Sequence, residues 1–268
     1  MIKKVIILLL LTSMTLYFFY EKRENNAIIG EMENIKEKEF LNDYSLLQIG
    51  DFYYNDGTFS HKRNEEKECV GIVFTLHVTA EEQKHGWTHG QIVALEDAGY
   101  GEQYEWGYKK TKYVWDIKKV CLVDTIPDLQ IQEYNTYALA KYDYDGYLYT
   151  YSSYLNQGEF IAFDIARNYS VSLPTGKTSG WYLPSIGQWI NILQYLGKMH
   201  IKEGGRYGNF HQSENVRLSS IHIEGTLYWS STTFGHNQGW YVNFSPTIGG
   251  IYADYRRSKM KIRPVAAF

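Results

Sequence analysis

The chain has 268 residues, a formal net charge of −3 and 44% hydrophobic residues. That length and apolar content suffice for a buried core and exclude wholesale disorder. The slight acidic balance offers no basic surplus for a phosphate backbone, so nucleic acid is not expected as a partner.

The first residues, "MIKKVIILLLLTSMTLYFFYEKREN", place Lys3 and Lys4 before an apolar run from Val5 to Tyr20. This pattern reads as an export signal, cleaved or retained as a membrane anchor, over residues 1–20. The bulky Leu16–Tyr20 stretch offers no small-residue cleavage site, and contact with a membrane is expected through this segment only. Residues 21–45 mix both charges with amides and read as a polar linker. A single domain is expected over 46–268.

Within that domain, Asp56-Gly57 between aromatic runs marks a tight hairpin turn. "CVGIVFTLHV" and "HGQIVALEDA" read as strands. Export would permit a disulfide between Cys69 and Cys121, the two cysteines of the chain; two buried thiols are the alternative. Their spacing has no metal signature. His85 and His89 stand four apart, but Gly86 and Gly90 argue against the helix that would bring them onto one metal. The tyrosine-rich stretch from Glu133 to Gln157 can bury area and is not read as disordered. Asp143, Asp145 and Gly146 resemble part of a calcium loop without its remaining ligands, so a polar turn is expected there. No metal and no cofactor is predicted.

A helix is expected from about Glu159 to Asn168. A second follows Ser185, where Gln188 completes a capping box and Ile186, Trp189, Ile190, Leu193 and Leu196 form an apolar stripe. "KEGGRYGNFHQSENVRLSS" reads as a long polar loop. "TLYWSST", "GWYVNFS" and "KIRPVAAF" read as strands, with Pro264 marking an edge or bulge. Alternation would turn Trp229 inward and Tyr228 or Ser230 outward.

"GWYLPSIGQW", "YWSSTTFGHNQGWYVNF" and the terminal "KIRPVAAF", in that order, resemble the DUF1566, or Fibrobacter succinogenes major paralogous, group. "IGDFYYNDGTFS" and "HGQIVALEDA" look like the opening of such modules in exported proteins of Bacteroidetes. The likeness spans about Gly50 to Phe268. That group is similar in fold to C-type lectins and formylglycine-generating enzymes. The resemblance implies an α+β, C-type-lectin-like module: two helices on a twisted antiparallel sheet, long irregular loops, chain ends close together, and Trp181, Trp189 and Trp229 in the core.

Catalysis is not expected. Ser230, Ser231, His236 and Asp254 supply suitable residue types but no GxSxG elbow. Both cysteines precede the first expected helix, unlike those of formylglycine-generating enzymes. The calcium-binding sequences of sugar-binding lectins are missing as well. The expected role is recognition of a glycan or surface protein without calcium, at the cell envelope, the cell surface or beyond. A structural part in a surface appendage or envelope assembly is the alternative, and an enzyme of unfamiliar type the third. The expected binding surface comprises Arg206 and Tyr207, the tip His236, Asn237 and Gln238 with Trp240, and Tyr252, Tyr255, Arg256 and Arg257. Aromatic faces, amides and guanidinium groups suit sugars and polar protein surfaces.

Overall fold

The computed structural model describes Lys22 and residues 43–107, 134–152, 159–210, 223, 225–235, 238–245 and 249–268. The chain divides into two compact units, Met1–Leu46 and Leu47–Phe268. In the first, Tyr44–Leu46 forms one 3-10 turn, capped by Asp43, whose carboxylate accepts from the backbone N–H (3.0 Å) and hydroxyl (2.7 Å) of Ser45. The expected export segment and Cys121 lie outside the described residues, and no described helix is long and apolar enough to cross a membrane.

The second unit is α+β and built on antiparallel sheets. Its first sheet has the order β12-β4-β3-β1-β2: Val265–Ala267, Gln91–Ala94, Cys69–Thr75, Phe52–Tyr54 and Phe59–Ser60. Asp56-Gly57 turns β1 into β2, with Gly57 at φ 84° and Asp56 Oδ1 accepting from Thr58 N (2.9 Å). β12 lies at the sheet edge, where Pro264 costs no ladder hydrogen bond. β3 and β4 are buried along nearly their whole length, as their continuous apolar runs require. Cys69, at the start of β3, is a free half-buried thiol; the expected pairing involves a residue outside the described set.

The second sheet has the order β6-β7-β10-β9-β8: Ile201–Gly204, Tyr207–Phe210, Gly250–Tyr255, Gln238–Asn243 and Leu227–Phe234. The β6–β7 hairpin falls where a polar loop is expected from sequence. Its strands are four residues each; β6 exposes all but Ile201 and β7 buries only Gly208 and Phe210, so no run of buried side chains marks them. A third, two-stranded ladder joins β5 (Tyr104–Glu105) to β11 (Lys259–Met260).

Helices α1 (Ala80–Lys84), α2 (Tyr137–Ala140), α3 (Gly146–Tyr151) and α4 (Ile161–Arg167) are short. The helix expected after Ser185 is α5 (Ile186–Asn191), which continues as a π-helical stretch to Leu196. α5 begins with the expected capping box, in which Ser185 N–H donates to Gln188 Oε1 at 2.9 Å. α5 packs against β8 and β9 and its π-helical continuation against β3, so the rod as a whole lies between two sheets rather than upon one. Burying an apolar side chain of this size contributes about 1.5–3 kcal/mol, and all five stripe residues are buried.

β8 is buried on both faces: Tyr228, Trp229 and Ser230 are each 0% exposed. The expected outward turn of Tyr228 or Ser230 is therefore corrected. Trp229 faces a second core with Trp106, Phe163 and Met260, while Tyr228 faces the main core. Trp181 and Trp189 are buried as expected.

The recognisable motif residues are tied by a buried polar network. Tyr182 OH donates to Glu82 Oε1 (2.8 Å), Gln91 Nε2 to Glu82 Oε2 (2.9 Å), and Gln188 Nε2 to Gln91 Oε1 (3.1 Å) and Tyr182 OH (2.9 Å). Ile186 N–H donates to Thr232 Oγ1 (2.9 Å), and Ser185 Oγ to Asp143 O (2.6 Å). These contacts fasten α1, β4, α5 and β8 together. Asp143 is 1% exposed, so the polar turn expected there is an interior feature. Burial pushes its carboxyl up to about 7, against the charge-stabilising hydroxyls of Thr232 and Tyr149.

Candidate functional site

The antiparallel register of β9 and β10 sets the geometry. Trp240 lies opposite Ala253 and Tyr241 opposite Tyr252; Tyr255 lies opposite Gln238, which in turn pairs with Phe234 of β8. Side chains alternate between faces along a strand, so Trp240 and Tyr241 point to opposite sides. Trp240 is the inward one. It is 0% exposed, donates its Nε1–H to Tyr134 O at 2.7 Å and meets Phe234 edge-on at 5.1 Å. Its place in the expected binding surface is therefore corrected: it is core.

Tyr241 and Tyr252 share the other face, with ring centroids 5.9 Å apart. The Tyr252 ring lies over Gly250, where an added Cβ would come within 2.7 Å of it. Its hydroxyl donates to Asn209 Oδ1 at 3.0 Å. Tyr207 adjoins Tyr252 at 5.5 Å, Phe234 at 6.4 Å and Trp240 at 6.0 Å, and so links the surface rings to the core. All three tyrosines are half-buried. Burial, reinforced by Asp254, raises the Tyr241 hydroxyl to about 12, so it stays a protonated donor at neutral pH.

The cationic residues divide into two kinds. Arg256 is 5% exposed; its guanidinium lies 4.4 Å from the Trp106 ring centroid and reaches Gly235 O (3.4 Å) and Gln238 O (3.5 Å). Trp106 in turn fills the space above Gly239, where a Cβ would stand 3.0 Å from the indole. Arg256 thus braces the β8–β9 hairpin and is corrected from a surface donor to a packing residue. Arg206 is exposed, with its guanidinium carbon 5.6 Å from the Phe234 ring centroid. Arg257 and Tyr255 are exposed, the latter at 60%.

Arg206, Tyr207, Gln238, Tyr255 and Arg257 therefore lie toward the end of the second sheet where Phe234 and Gly235 turn β8 toward β9; Gln238 and Tyr255 share Trp240's side, Tyr252 lies on the other, and Tyr207 meets rings of both. His236 and Asn237 lie outside the described residues. Tyr241 and Asn209 join the surface without having been expected there. Strand alternation beside Trp240 marks Tyr241, whereas Asn209 falls in the hairpin that reads as a loop.

Other sequence candidates are dispersed or enclosed. Ser230 Oγ donates to Trp240 O at 2.9 Å and Ser231 is 1% exposed, so neither hydroxyl meets solvent. Asp254 Oδ1 accepts from Tyr255 N–H at 2.7 Å. His85 ends α1 and stacks on Trp87 at 4.8 Å, while the His89 backbone N–H donates to Phe268 O at 2.9 Å. Among the described residues no group of three or more His, Cys, Asp or Glu could hold a metal ion.

No family model matches the chain, and no curated protein matches it. Among solved structures it is similar to the crystal structure of a fimbrial protein from Bacteroides ovatus ATCC 8483, with a TM-score of 0.54 and 20% sequence identity. The match covers 83% of this chain and 49% of that one, so the chain spans about half the length of its structural relative.

Proposed function

We propose that the chain is an exported module of a bacterial surface appendage or envelope assembly. The observation that carries this reading is the fold likeness to a fimbrial protein over 83% of the chain. The basic, apolar opening of the sequence fits export, and the likeness to a Bacteroides protein fits the Bacteroidetes modules that the sequence resembles. The C-type-lectin-like, DUF1566-type arrangement is part of the same proposal. It is supported by the closeness of the unit's two ends, where Tyr53 and Phe268 have ring centroids 4.3 Å apart. The buried serines support a non-catalytic role.

Shearing of intact native cells, followed by blotting of the sheared fraction, tests the proposal. The protein is expected in the high-molecular-mass sheared material and open to protease on whole cells. Confinement to the soluble cytoplasmic fraction would refute it.

A second reading is recognition of a glycan or surface protein without calcium. The approach of polar and aromatic residues from three separate segments, Arg206–Tyr207, Gln238 and Tyr252–Arg257, toward one end of the second sheet favours it.

A further inference from the structure

We infer that this end of the second sheet binds an acidic saccharide, stacking it on Tyr207 and Tyr252 and pairing its carboxylate with Arg206 and Arg257. The inference rests on the recognition reading and narrows its ligand.

Three observations lead to it. First, the rings of Tyr207, Tyr252 and Tyr241 succeed one another at 5.5 and 5.9 Å across neighbouring strands. The rings are tilted to one another by 59° and 42°, so the row offers apolar surface at sugar-ring spacing but at differing angles. The tyrosines are half-buried, hence already ordered, and ordered aromatics bind at low entropic cost. The Tyr252 ring is held by Asn209 at 3.0 Å and lies over Gly250, where no side chain lifts it from the sheet.

Second, the flanking arginines have unspent charge. Arg206 and Arg257 are exposed, and the ion pairs among the described residues occupy other cations. The Arg206 guanidinium carbon stands 5.6 Å from the Phe234 ring centroid, an aromatic contact that uses none of its N–H donors on an acid. Arg256, buried next to Arg257, adds a fixed positive charge behind them. Asp254 lies on the side of Tyr252 and keeps its negative charge while its Oδ1 accepts from Tyr255 N–H, so Arg206, Arg256 and Arg257 together outweigh a single acid there.

Third, the combination favours an acidic saccharide over simpler ligands. A bare anion would need the arginines but not the tyrosine row. A neutral sugar would use the row and the arginine N–H donors but leave their charge unmatched. The chain's net charge of −3 provides no long-range attraction for a polyanion as such.

The test uses the full chain on an array of uronate-bearing, sialylated and neutral glycans. Titration calorimetry then compares oligogalacturonate with its methyl-esterified, uncharged counterpart. Oligogalacturonate is expected to bind at least about tenfold more tightly than the ester, and R206Q/R257Q to lose that advantage, as befits charge-assisted bonds. Tyr252→Ala is expected to weaken binding by a similar factor and Tyr252→Phe to retain most of it. The exposed arginine positions keep the test decisive should Tyr252→Ala unfold. Equal binding of acid and ester overturns the inference while leaving glycan recognition standing. Binding matched by dextran sulfate and indifferent to Tyr252→Ala also overturns it, as plain charge attraction. Failure of every glycan on the array overturns the inference and glycan recognition together, leaving the appendage reading to its own test.

Discussion

Arg263 grips Asp97 through two nitrogens, Nε and Nη2, which stand 2.8 and 2.6 Å from the same carboxylate oxygen. Lys261 Nζ reaches the other oxygen at 2.8 Å, and Arg263 Nη1 donates to Ala94 O at 3.1 Å. The arginine of the terminal "RPV" is only 1% exposed and thus clamps the end of β4 to the strand that closes the first sheet. Asp97→Ala would leave a buried guanidinium without its counter-ion. Denaturant melts should show a loss of about 3–5 kcal/mol, and Arg263→Lys, which cannot reproduce the fork, should recover little of it.

Gln188 serves three partners at once: it accepts from Ser185 N–H and donates to Gln91 and to Tyr182. Truncation to Ala would orphan several buried polar atoms and remove half of the capping box. A destabilisation of at least about 2 kcal/mol is expected by urea titration. Leu at the same position would fill volume yet leave the same atoms unpaired, so it should rescue little.

Asp143 makes stability depend on pH. Its folded-state value of about 7 exceeds the ordinary 3.8 because burial penalises the charge. Between those two values the folded state holds a proton that the unfolded chain has released. Stability should therefore fall as pH rises from about 4 to about 7 and level off above. Asp145, raised by burial and by Glu82 and Glu81, adds to the same trend. Asp56 acts oppositely: with burial working against it, the Lys67 and Thr58 contacts still lower it to about 2, and its contribution is lost only in stronger acid. Chemical denaturation at several pH values should show the slope between pH 4 and 7 diminished in Asp143→Asn.

Trp240 and Tyr255 should separate packing from surface. Trp240→Ala deletes a core indole and is expected to cost about 3–5 kcal/mol. Tyr255→Ala, at a largely exposed site, should stay within about 0.5 kcal/mol of the parent. A thermal melt distinguishes them, and any loss of ligand by Trp240→Ala would report unfolding rather than a missing contact.

Local chemistry was legible in the sequence. Asp56-Gly57, the Ser185–Gln188 box, the apolar stripe of α5 and the run of β3 each act over a few residues and appear where expected. The β6–β7 hairpin escaped because its strands are only four residues long, β6 is largely exposed and glycines punctuate both. Helices α2 and α3 escaped because tyrosine repeats with no helical period. Arg256 and Trp240 were misassigned for another reason. Each is placed by a sequence-distant partner, Trp106 in one case and Tyr134 in the other, and no local pattern records such a contact. The buried network is of the same kind, since Gln91 and Gln188 meet only after the fold has formed.

The pairing of Val265–Ala267 with Gln91–Ala94 has a kinetic consequence. During synthesis β4 emerges long before its outer neighbour, so one flank of an almost wholly apolar strand waits unpaired. Closing so distant a ladder is slow, and slow closure exposes the waiting edge to other chains. A holdase bound to that flank, or passage to another compartment before collapse, would shield it during the interval.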